Sequence, residues 1–498
     1  MRHGHLRVLL ALLVAAMLVT VSTTAFAQGG ASSTLSGTVV DSSGGVVPGA
    51  DVTAKNNATS TVYTAVSGAN GVFTIPAIEP GTYTVTVGLM GFKTAILNQV
   101  VINVAVPASV KAVLELGKLE ETVVVEAATQ MVQTQSTAVS STINVKQISN
   151  LPLPGRGAFD FVTQLPGVTT SDGQARYAVV NGLPSSVTNI TLDGMNIQDN
   201  YAKSWDGMFT RVSPRLDAVE EISMGSAANA AGDAGQGSVQ MRFVTRSGTN
   251  QFKGSAYYYL RDDKYNSNTW FNLNRNVDIT GKPTAKPVQH QDQPGFRIGG
   301  PIWKDKAFFF LNYEWISSPG TATLNATMMS PLSEQGIFQY AGTSKDLMAL
   351  ALSKGQTAKI DPLIAKTLAA MRAAASQGTL NATTDPATQT LTSQMATKGT
   401  TTYPTVRFDV NATSKHRISF STTYNHLISD PDTTNTYYTY YPGFPNRGTQ
   451  DSVRYSGQLS LRSVLSKDLV NEVRVGATGG ATKFFPEDNP SMFSDYGG

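Results

Sequence analysis

Residues 235–261 read GQGSVQMRFVTRSGTNQFKGSAYYYLR, and the pattern of this stretch changes at Asn250. Residues 232–237, which overlap the start of this stretch, are Gly, Ala, Asp and Gln, without a bulky side chain. After Asn250, alternate residues fall into two sets. One set is Phe252, Gly254, Ala256, Tyr258 and Leu260, and the other is Lys253, Ser255, Tyr257, Tyr259 and Arg261. Because successive side chains of a strand point to opposite faces, this pattern predicts a β-strand with one apolar and one polar face.

Six further segments repeat this alternation toward the C-terminus. The seven predicted strands are Gln251–Arg261, Phe296–Ile302, Ala307–Trp315, Thr405–Ala412, Arg417–His426, Arg454–Leu461 and Leu469–Thr478. Charge on one face and apolar or aromatic residues on the other are what a membrane barrel with a water-filled interior requires. A soluble β-sandwich alternates in the same way, so alternation alone leaves both folds open.

The segment 317–402 interrupts the strands and is predicted to be one long extracellular loop. Within it, Asp361 at the N-cap and Pro362 at the first helical position predict a helix that runs to Arg372. Because loops longer than ~15 residues are usually functional or disordered, this loop is either a lid that grips a ligand or an insertion without a function.

Met1 to Ala27 has the three parts of a secretory signal. Arg2 and Arg7 form a basic start, residues 8–21 form an apolar run, and Ala25 and Ala27 form a cleavage site that leaves Gln28 as the first mature residue. The apolar run is shorter than the ~20 residues that a transmembrane helix needs. No later apolar run approaches that length, so the mature chain is expected to enter a membrane only as a barrel.

The composition excludes several classes of function. Charged residues are 15% of the 498 residues, whereas a typical soluble domain has about 25%. A net charge of +3 argues against nucleic acid as the main partner, because phosphate binding needs a dense basic surface. The chain has no cysteine, and no nucleophile–base pair or metal-ligand cluster is recognisable. We therefore expect no enzyme activity, no cofactor and no metal site.

Residues 34–117 combine short β-prone runs with regularly spaced turns, which predicts a small antiparallel sandwich. The stretch resembles the carboxypeptidase-regulatory-like domain, an immunoglobulin-like module without peptidase chemistry. The resemblance lies in Gly37–Asp41, Pro48–Val52, Gly71–Phe73, Pro80–Tyr83 and Gly91–Lys93. It implies either a carbohydrate-binding domain or a passive periplasmic spacer.

Residues 146–248 resemble the plug domain of TonB-dependent outer-membrane receptors, and most closely the Oar-like group that carries an N-terminal regulatory-like domain. Several motifs occur in the family's order, and the resemblance covers residues 34–478. The positions that carry the plug motifs are Arg156, Gly157, Pro166, Gly167, Asn181, Gly182, Asp193, Gly194, Glu220 and Gly237. This resemblance decides for a transmembrane barrel over a soluble sandwich and implies an outer-membrane location.

The residue types in the plug suggest local roles. Leu192-Asp193-Gly194 can close a tight turn, with Asp capping the backbone and Gly taking a positive φ. Six charged side chains either contact the lumen of a barrel or lie on a solvated surface: Arg156, Arg211, Arg215, Asp193, Asp217 and Glu220.

A β-prone run between acidic residues precedes the plug: Glu121, Thr122, Val123, Val124 and Val125. From its residues alone it is either an unpaired strand that adds to a partner's sheet or a connecting strand paired within its own chain. The resemblance implies that this run is the TonB box, which pairs with the TonB-type energy-coupling complex in the periplasm.

The predicted fold is therefore mainly β. It comprises a signal peptide (1–27), an immunoglobulin-like sandwich (28–117), a linker (118–141), an α/β plug (142–248) and part of an antiparallel transmembrane barrel (249–498). Since a plugged lumen goes with ~22 strands, seven strands predict a fragment with roughly the first third of a barrel.

The resemblance implies an energy-coupled receptor that imports an extracellular ligand and contacts outer-membrane lipid, and it favours a glycan or a peptide as that ligand. Two alternatives remain: a surface-binding or adhesion protein without transport, and a secreted soluble binding protein.

Overall fold

The computed structural model describes residues 32–117, 122–126, 139–144, 156–170, 175–202, 207–227, 237–274, 283, 285–340, 342–432, 441–444, 448–466 and 469–485. The predicted signal peptide, with Ala25, Ala27 and Gln28, lies outside these ranges, and so does Glu121. Across the described part of the chain, none of the helices has the length and hydropathy that crossing a bilayer requires.

The N-terminal unit is a two-sheet sandwich. Its strands are β1 (Ser33–Asp41), β2 (Asp51–Asn56), β3 (Val62–Val66), β4 (Val72–Ile78), β5 (Gly81–Gly88), β6 (Thr94–Ile102), β7 (Ala108–Leu114) and β8 (Thr122–Glu126). One sheet has the order β4-β1-β7 and the other β3-β2-β5-β6-β8. Alternate apolar residues of both sheets point inward, and Phe73, Tyr83 and Val85 are among the fully buried ones. The predicted sandwich is confirmed, but it is not wholly antiparallel, because β7 runs parallel to β1 and the additional strand β8 runs parallel to β6.

The plug follows as a second unit. Its strands are β9 (Val139–Asn144), β10 (Val168–Thr169), β11 (Val179–Val180), β12 (Thr188–Leu192), β13 (Met195–Asn196), β14 (Val219–Ala227) and β15 (Val239–Thr245). The main sheet has the order β13-β12-β15-β14-β9, in which β12 and β15 are parallel. The helical segments in the described part of the plug are short 3-10 helices at Ala158–Gln164, Ala175–Tyr177, Ser185–Val187 and Leu216–Ala218.

The remaining strands form one large antiparallel sheet with two small additions. They are β16 (Lys253–Asp262), β17 (His290–Trp303), β18 (Ala307–Met329), β19 (Ile337–Tyr340), β20 (Thr343–Asp346), β21 (Gly378–Ala382), β22 (Thr388–Thr402), β23 (Thr405–Asn411), β24 (His416–Asp430), β25 (Thr449–Ser466) and β26 (Leu469–Phe485). The helices are α1 (Trp270–Asn274), α2 (Pro331–Glu334), α3 (Leu347–Ser353) and α4 (Pro362–Ala374), with 3-10 turns at Asp263–Tyr265 and Ala375–Gln377.

Seven strands cross the large sheet if β22 and β23 are counted as one, and this number matches the seven predicted strands. Its order is β16-β17-β18-β22-β24-β25-β26, and β23 continues the crossing of β22 because both pair with β18 and β24. The break between β22 and β23 falls at Pro404, which has no backbone N–H to donate to the ladder. Within the described residues, β16 and β26 each have one neighbour in this sheet.

The two faces of this sheet differ as the alternation predicts. The outward face carries exposed apolar and aromatic side chains, among them Ile298, Trp315, Phe408, Phe420, Tyr424, Leu459 and Val475. The inward face carries buried polar and charged ones, among them Asn312, Glu314, Asp409, Arg417, Ser421 and Gln458. An apolar outer surface suits lipid, and polar side chains line the interior.

The two ends of the sheet carry different structures. At one end, the short turns 304–306 and 412–415 lie close to the sandwich; we call this the sandwich end. At the other end, the loop end, the structure corrects the prediction of a single loop at 317–402, because β18 continues to Met329 and β22 begins at Thr388. Their extensions pair residue by residue from Trp315↔Thr402 to Met329↔Thr388. The connecting segment is therefore 330–387.

The predicted helix within this segment is confirmed as α4. The Asp361 carboxylate accepts from the backbone N–H groups of Leu363 (2.8 Å) and Ile364 (3.3 Å), as an N-cap residue does. Ala375, at the end of the helix, packs with Met328 and Leu391 of the hairpin. The segment 330–387 is thus folded against the β18–β22 hairpin.

Arg372 of α4 joins this segment to the hairpin. Its guanidinium forms an ion pair with Glu334 (2.7 Å) and donates to the carbonyl oxygen of Met329 (2.7 Å) and to the Gln389 side chain (3.1 Å). These three partners lie in three separate elements of the loop end. A single side chain therefore holds α2, α4 and the hairpin together.

We predict that Arg372→Met weakens this packing by about 1 kcal/mol, since charge-assisted hydrogen bonds to three elements are lost. Limited proteolysis of the protein in detergent should cleave the segment 330–387 several-fold faster than in the wild type. Lys359→Met, at an exposed position of the same segment, serves as the control and should leave the rate unchanged. Equal cleavage rates in all three proteins would contradict the role given to Arg372.

Candidate functional site

The plug lies against the inward face of the barrel sheet, and charged pairs connect the two. Arg215 forms an ion pair with Glu314 of β18, and both side chains are buried. The Tyr257 hydroxyl donates to the second oxygen of Glu314 (3.0 Å), and the Arg215 guanidinium lies 4.8 Å from the centre of the Tyr403 ring. The barrel thus supplies a carboxylate and an aromatic face to one arginine of the plug.

A second contact involves Asp217 of the plug. It forms ion pairs with Arg156 of the plug (2.8 Å) and with Arg297 of β17 (3.6 Å). The Arg156 guanidinium also stacks on the Tyr259 ring of β16 at 3.7 Å, a cation–π contact. Arg156, predicted from the plug motifs, therefore contacts both the plug and the barrel wall.

The third contact lies at the predicted tight turn. Asp193 and Gly194 have φ values of 51° and 87°, which suits the two-residue connection between β12 and β13. The Asp193 carboxylate accepts from the backbone N–H of Thr245 (2.8 Å) and lies 3.7 Å from the Arg407 guanidinium of β23. The predicted tight turn with a positive φ at Gly194 is present, but the Asp193 carboxylate binds the backbone of Thr245 in β15 rather than that of the turn itself. The turn also touches the barrel wall.

The other predicted plug residues form turns within the plug. Gly167 accepts from the Asn181 N–H (2.8 Å), and a Cβ on Gly167 would lie 2.0 Å from the Asn181 side-chain oxygen. Pro166, Gly182 and Gly237 also lie in loops, and Gly157 makes an isolated bridge to Arg215. Glu220 pairs with Arg246 (3.3 Å) and is half exposed. These positions hold the shape of the plug rather than touching the wall.

The charged residues considered for lumen contacts therefore divide into two groups. Arg156, Arg215, Asp193 and Asp217 contact barrel side chains, whereas Arg211 pairs with Asp199 of the plug (3.5 Å) and Glu220 with Arg246. The barrel partners Arg297, Glu314 and Arg407 were not predicted individually. Their inward positions follow from alternation, but the plug residue that meets each of them depends on contacts distant in sequence.

The sandwich touches the barrel and the plug with one end. The backbone N–H of Asn250 donates to Ala58 O (2.9 Å), and Arg462 donates to Ala77 O (2.7 Å). On the plug side, Val104 N–H donates to the Glu221 carboxylate (2.8 Å). Ala58 and Val104 lie in turns, and Ala77 lies near the end of β4. All three are at the same end of the sandwich, so the sandwich docks end-on at the sandwich end of the barrel.

A chain of alternating charges passes through the three units at this junction. Glu79 of the sandwich pairs with Arg417 (2.6 Å), Arg417 with Asp409 (3.4 Å) and Asp409 with Arg407 (2.9 Å), and Arg407 reaches Asp193 of the plug. A cavity of about 100 Å³ lies beside it, lined in part by Glu79, Arg407, Arg417, Gln458 and Arg462. Among the described residues, no group of His, Asp and Glu is arranged to hold a metal ion.

The predicted coupling run forms the edge strand β8 of the sandwich. Residues Thr122–Glu126 pair in parallel with Thr94–Asn98 of β6, so the run is paired within its own chain on one side. Glu121 lies outside the described residues. The structure thus adopts the second of the two arrangements considered for this run, and its role as a coupling segment stays a prediction.

Two family models match the chain. The model described as "outer membrane beta barrel domain" matches residues 244–497, just over half of the chain. The model described as "carboxypeptidase regulatory-like domain" matches residues 34–115. Among curated proteins, the TonB-dependent transporter Oar of Myxococcus xanthus is 27% identical over 317 residues, which are 61% of this chain and 28% of the relative. The chain therefore spans less than a third of the curated relative that it matches.

Solved structures of similar proteins include a ferric enterobactin receptor and an outer membrane transporter. A mutant of the ferric enterobactin receptor from Pseudomonas aeruginosa, in complex with enterobactin, shares 11% identity with a TM-score of 0.39, over 70% of this chain and 42% of that chain. The outer membrane transporter YddB from Escherichia coli shares 10% identity with a TM-score of 0.42, over 69% of this chain and 39% of that chain.

We predict that Glu314→Ala destabilises the seating of the plug by ~3–5 kcal/mol, because the buried Arg215 guanidinium loses its counter-charge. The change should appear as a lower midpoint of urea unfolding in detergent micelles. Glu115→Ala removes an ion pair whose Lys93 and Glu115 side chains are 30% and 50% exposed, and it should cost at most ~1 kcal/mol. Similar losses in the two variants would contradict the prediction.

Glu221 gives a pH dependence to the contact between plug and sandwich. Burial raises the pKa of Glu221 to about 8, against an ordinary value of 4.5. Between these values the folded protein keeps the proton that the unfolded chain releases. The free energy of unfolding therefore falls as the pH rises, by up to ~1.4 kcal/mol per pH unit, and levels off above the folded pKa.

We predict that Glu221→Gln removes this decrease in the free energy of unfolding with pH, since the amide oxygen still accepts from Val104 N–H but does not titrate. Thermal unfolding is measured in micelles between pH 4 and pH 9. The unfolding midpoint of the variant should rise relative to that of the wild type as the pH rises, and the two midpoints should be alike at the acid end. Parallel curves for the two proteins across this range would disprove the assignment.

Proposed function

The chain belongs to the outer membrane beta barrel family and is located in the outer membrane, and from this premise we propose that it acts as a TonB-dependent receptor that imports an extracellular ligand. The plug blocks the inward face of the barrel at rest. Energy from the periplasmic side moves the plug and opens a path. The steps are binding and movement, without covalent chemistry.

The observation that carries the proposal is the set of buried and partly buried charged contacts between plug and barrel. Arg215–Glu314, Asp217–Arg297 and Asp193–Arg407 each join a plug side chain to an inward-facing strand position. Paired and partly hydrogen-bonded charges hold a plug in one position while leaving a polar surface along which it can move. A permanent apolar core at this interface would oppose such movement more strongly.

The position of the coupling run supports the same function. Residues 122–126 lie in the sandwich, and the next described segment along the chain is β9, the edge strand of the plug sheet. A pull on the run by a TonB-type protein would reach the plug at β9, which pairs with β14. An edge strand has one neighbour, so its removal disturbs fewer hydrogen bonds than the removal of a central strand.

We predict that deletion of Glu121–Val125 abolishes uptake and leaves ligand binding at the cell surface intact, because binding uses the loop end and the plug. Uptake and surface binding are to be measured in the same cells with the same labelled ligand. Unchanged uptake would refute the coupling role of this run. Unchanged binding without any uptake in the wild type would favour a surface-binding protein.

A further inference from the structure

A groove of about 390 Å³ lies between the sandwich and the sandwich end of the barrel. Its sandwich wall is formed by residues 60–63 at the start of β3. Its barrel wall is formed by residues 305–306 and 411–417 and by Arg462 of β25. The volume falls within the ~300–1,000 Å³ range of small-molecule sites. Because the two walls belong to different units, the docked sandwich and the barrel shape this groove together.

Three cationic side chains from separate elements line the groove: Lys306, Lys415 and Arg462. Among the described residues, none of the three forms an ion pair with a carboxylate. The Lys306 ammonium lies 4.5 Å from the centre of the Trp303 ring, and the Arg462 guanidinium donates to Ala77 O (2.7 Å). These contacts hold the cations in place and leave their charge without a counter-charge.

The remaining charged residues of the lining do not cancel this surplus. Arg417 is already paired with Glu79 (2.6 Å) and with Asp409 (3.4 Å). Asp305 is the single carboxylate among the described lining residues, and it accepts from the Asn250 side chain (2.7 Å). Like charges gathered at one place repel each other, so an anion placed between them lowers the electrostatic free energy.

Uncharged donors lie beside the cations. His416 Nδ1 lies 2.9 Å from the Ser463 hydroxyl oxygen, and Nε2 donates when Nδ1 accepts from that hydroxyl. Ser60, Thr413 and Ser414 add hydroxyl groups to the lining. Phosphate oxygens accept strongly from ammonium and guanidinium groups, and hydroxyl donors complete their hydrogen bonding. The donor set of the groove therefore fits a phosphate group.

The lipid-facing surface of the barrel begins beside the groove. His416 lies on the same face of β24 as Ile418, which pairs with Val410 of β23 and with Leu461 of β25. These three apolar side chains are each more than a third exposed. Trp303 is 65% exposed, and an exposed tryptophan at a barrel rim marks the level of the lipid headgroups. The groove thus lies at the level where acyl chains end and headgroups begin.

The direction of the barrel assigns this level to one leaflet. Bacterial barrels have short periplasmic turns and longer extracellular loops. The turns 304–306 and 412–415 lie at the sandwich end, whereas the long segment 330–387 lies at the loop end. The groove therefore faces the periplasmic leaflet of the outer membrane.

We propose that this groove binds the phosphate headgroup of an anionic phospholipid from the periplasmic leaflet. Lys306, Lys415 and Arg462 hold the phosphate, and the acyl chains lie on the outward apolar face of β23 and β24. The bound lipid contacts sandwich and barrel together, so it stabilises the docked position of the sandwich. The site is separate from the import path and does not depend on the proposed function.

Short-chain lipids test the assignment on the full chain in dodecyl maltoside micelles. Dioctanoyl phosphatidylglycerol, dioctanoyl phosphatidylcholine and inorganic phosphate are titrated, and each Kd is measured by microscale thermophoresis with the dye on an affinity tag. We expect phosphatidylglycerol to bind about tenfold or more tightly than the other two. Equal affinity for the two lipids would overturn the proposal, and so would inorganic phosphate binding as tightly as phosphatidylglycerol, since the site would then take a free anion.

Two double variants with the same change in net charge separate the groove from general attraction. Lys306→Gln with Lys415→Gln should weaken phosphatidylglycerol binding by about tenfold or more. Lys304→Gln with Lys345→Gln is the control, because Lys304 lies in the same turn outside the lining and Lys345 lies in β20 at the loop end. The control should bind within about twofold of the wild type. Equal losses in the two variants would overturn the proposal.

A matched pair on the sandwich tests whether both units form the site. Val62 and Thr64 are exposed on the same face of β3, and Val62 lines the groove whereas Thr64 does not. Val62→Glu should weaken phosphatidylglycerol binding by about tenfold or more through like-charge repulsion, and Thr64→Glu should leave it within about twofold. Unchanged binding in Val62→Glu would overturn the proposal, because the lipid would then lie outside the gap between sandwich and barrel.

Discussion

Buried charge is costly unless it is paired, and the inward face of the barrel sheet carries several charged side chains. Glu314 and Arg407 face a space that contains protein rather than bulk water. The plug supplies Arg215 and Asp193 as their counter-charges. This requirement orients the plug, since each pair is satisfied in one placement only. The sandwich extends the same pattern, because its Glu79 meets an inward arginine of the barrel.

The connections between the three units therefore differ in kind from their interiors. Each unit has an apolar core of its own, such as the one around Phe73 in the sandwich and the one around Phe243 in the plug. The contacts between units described above are hydrogen bonds, ion pairs and cation–π contacts. Polar contacts can exchange with water at moderate cost, whereas apolar cores resist separation.

Two sheet edges lie on either side of the segment that joins the sandwich to the plug. β8 closes the sandwich sheet and β9 closes the plug sheet, and the chain passes from one to the other. Edge strands are usually protected against unwanted pairing. Within the described residues, the short strand β8 has a neighbouring strand on one side, and its Val124 side chain is exposed.

Prediction from the sequence succeeded where the face of a strand alone sets the surroundings of each side chain. The strands in the bilayer alternate because lipid lies on one side and the lumen on the other, and all seven were found. The extensions of β18 and β22 were missed, because Ser317-Ser318-Pro319-Gly320 interrupts the alternation of β18, although polar and apolar residues alternate again from Thr321 to Met328. The capped helix at Asp361 and the turn at Asp193 were found, since both depend on residues a few positions apart.

The sequence by itself determined the local elements of this protein, the two faces of its strands and the residues that cap its turns. Only the tertiary structure decided which charges meet, how the sandwich docks and which neighbour Thr122–Glu126 takes. The physical reason is the range of the interactions. Alternation, capping and turn formation act between residues close in the chain. The pairing of Arg215 with Glu314, or of β8 with β6, depends on where distant segments are brought together by the burial of the cores.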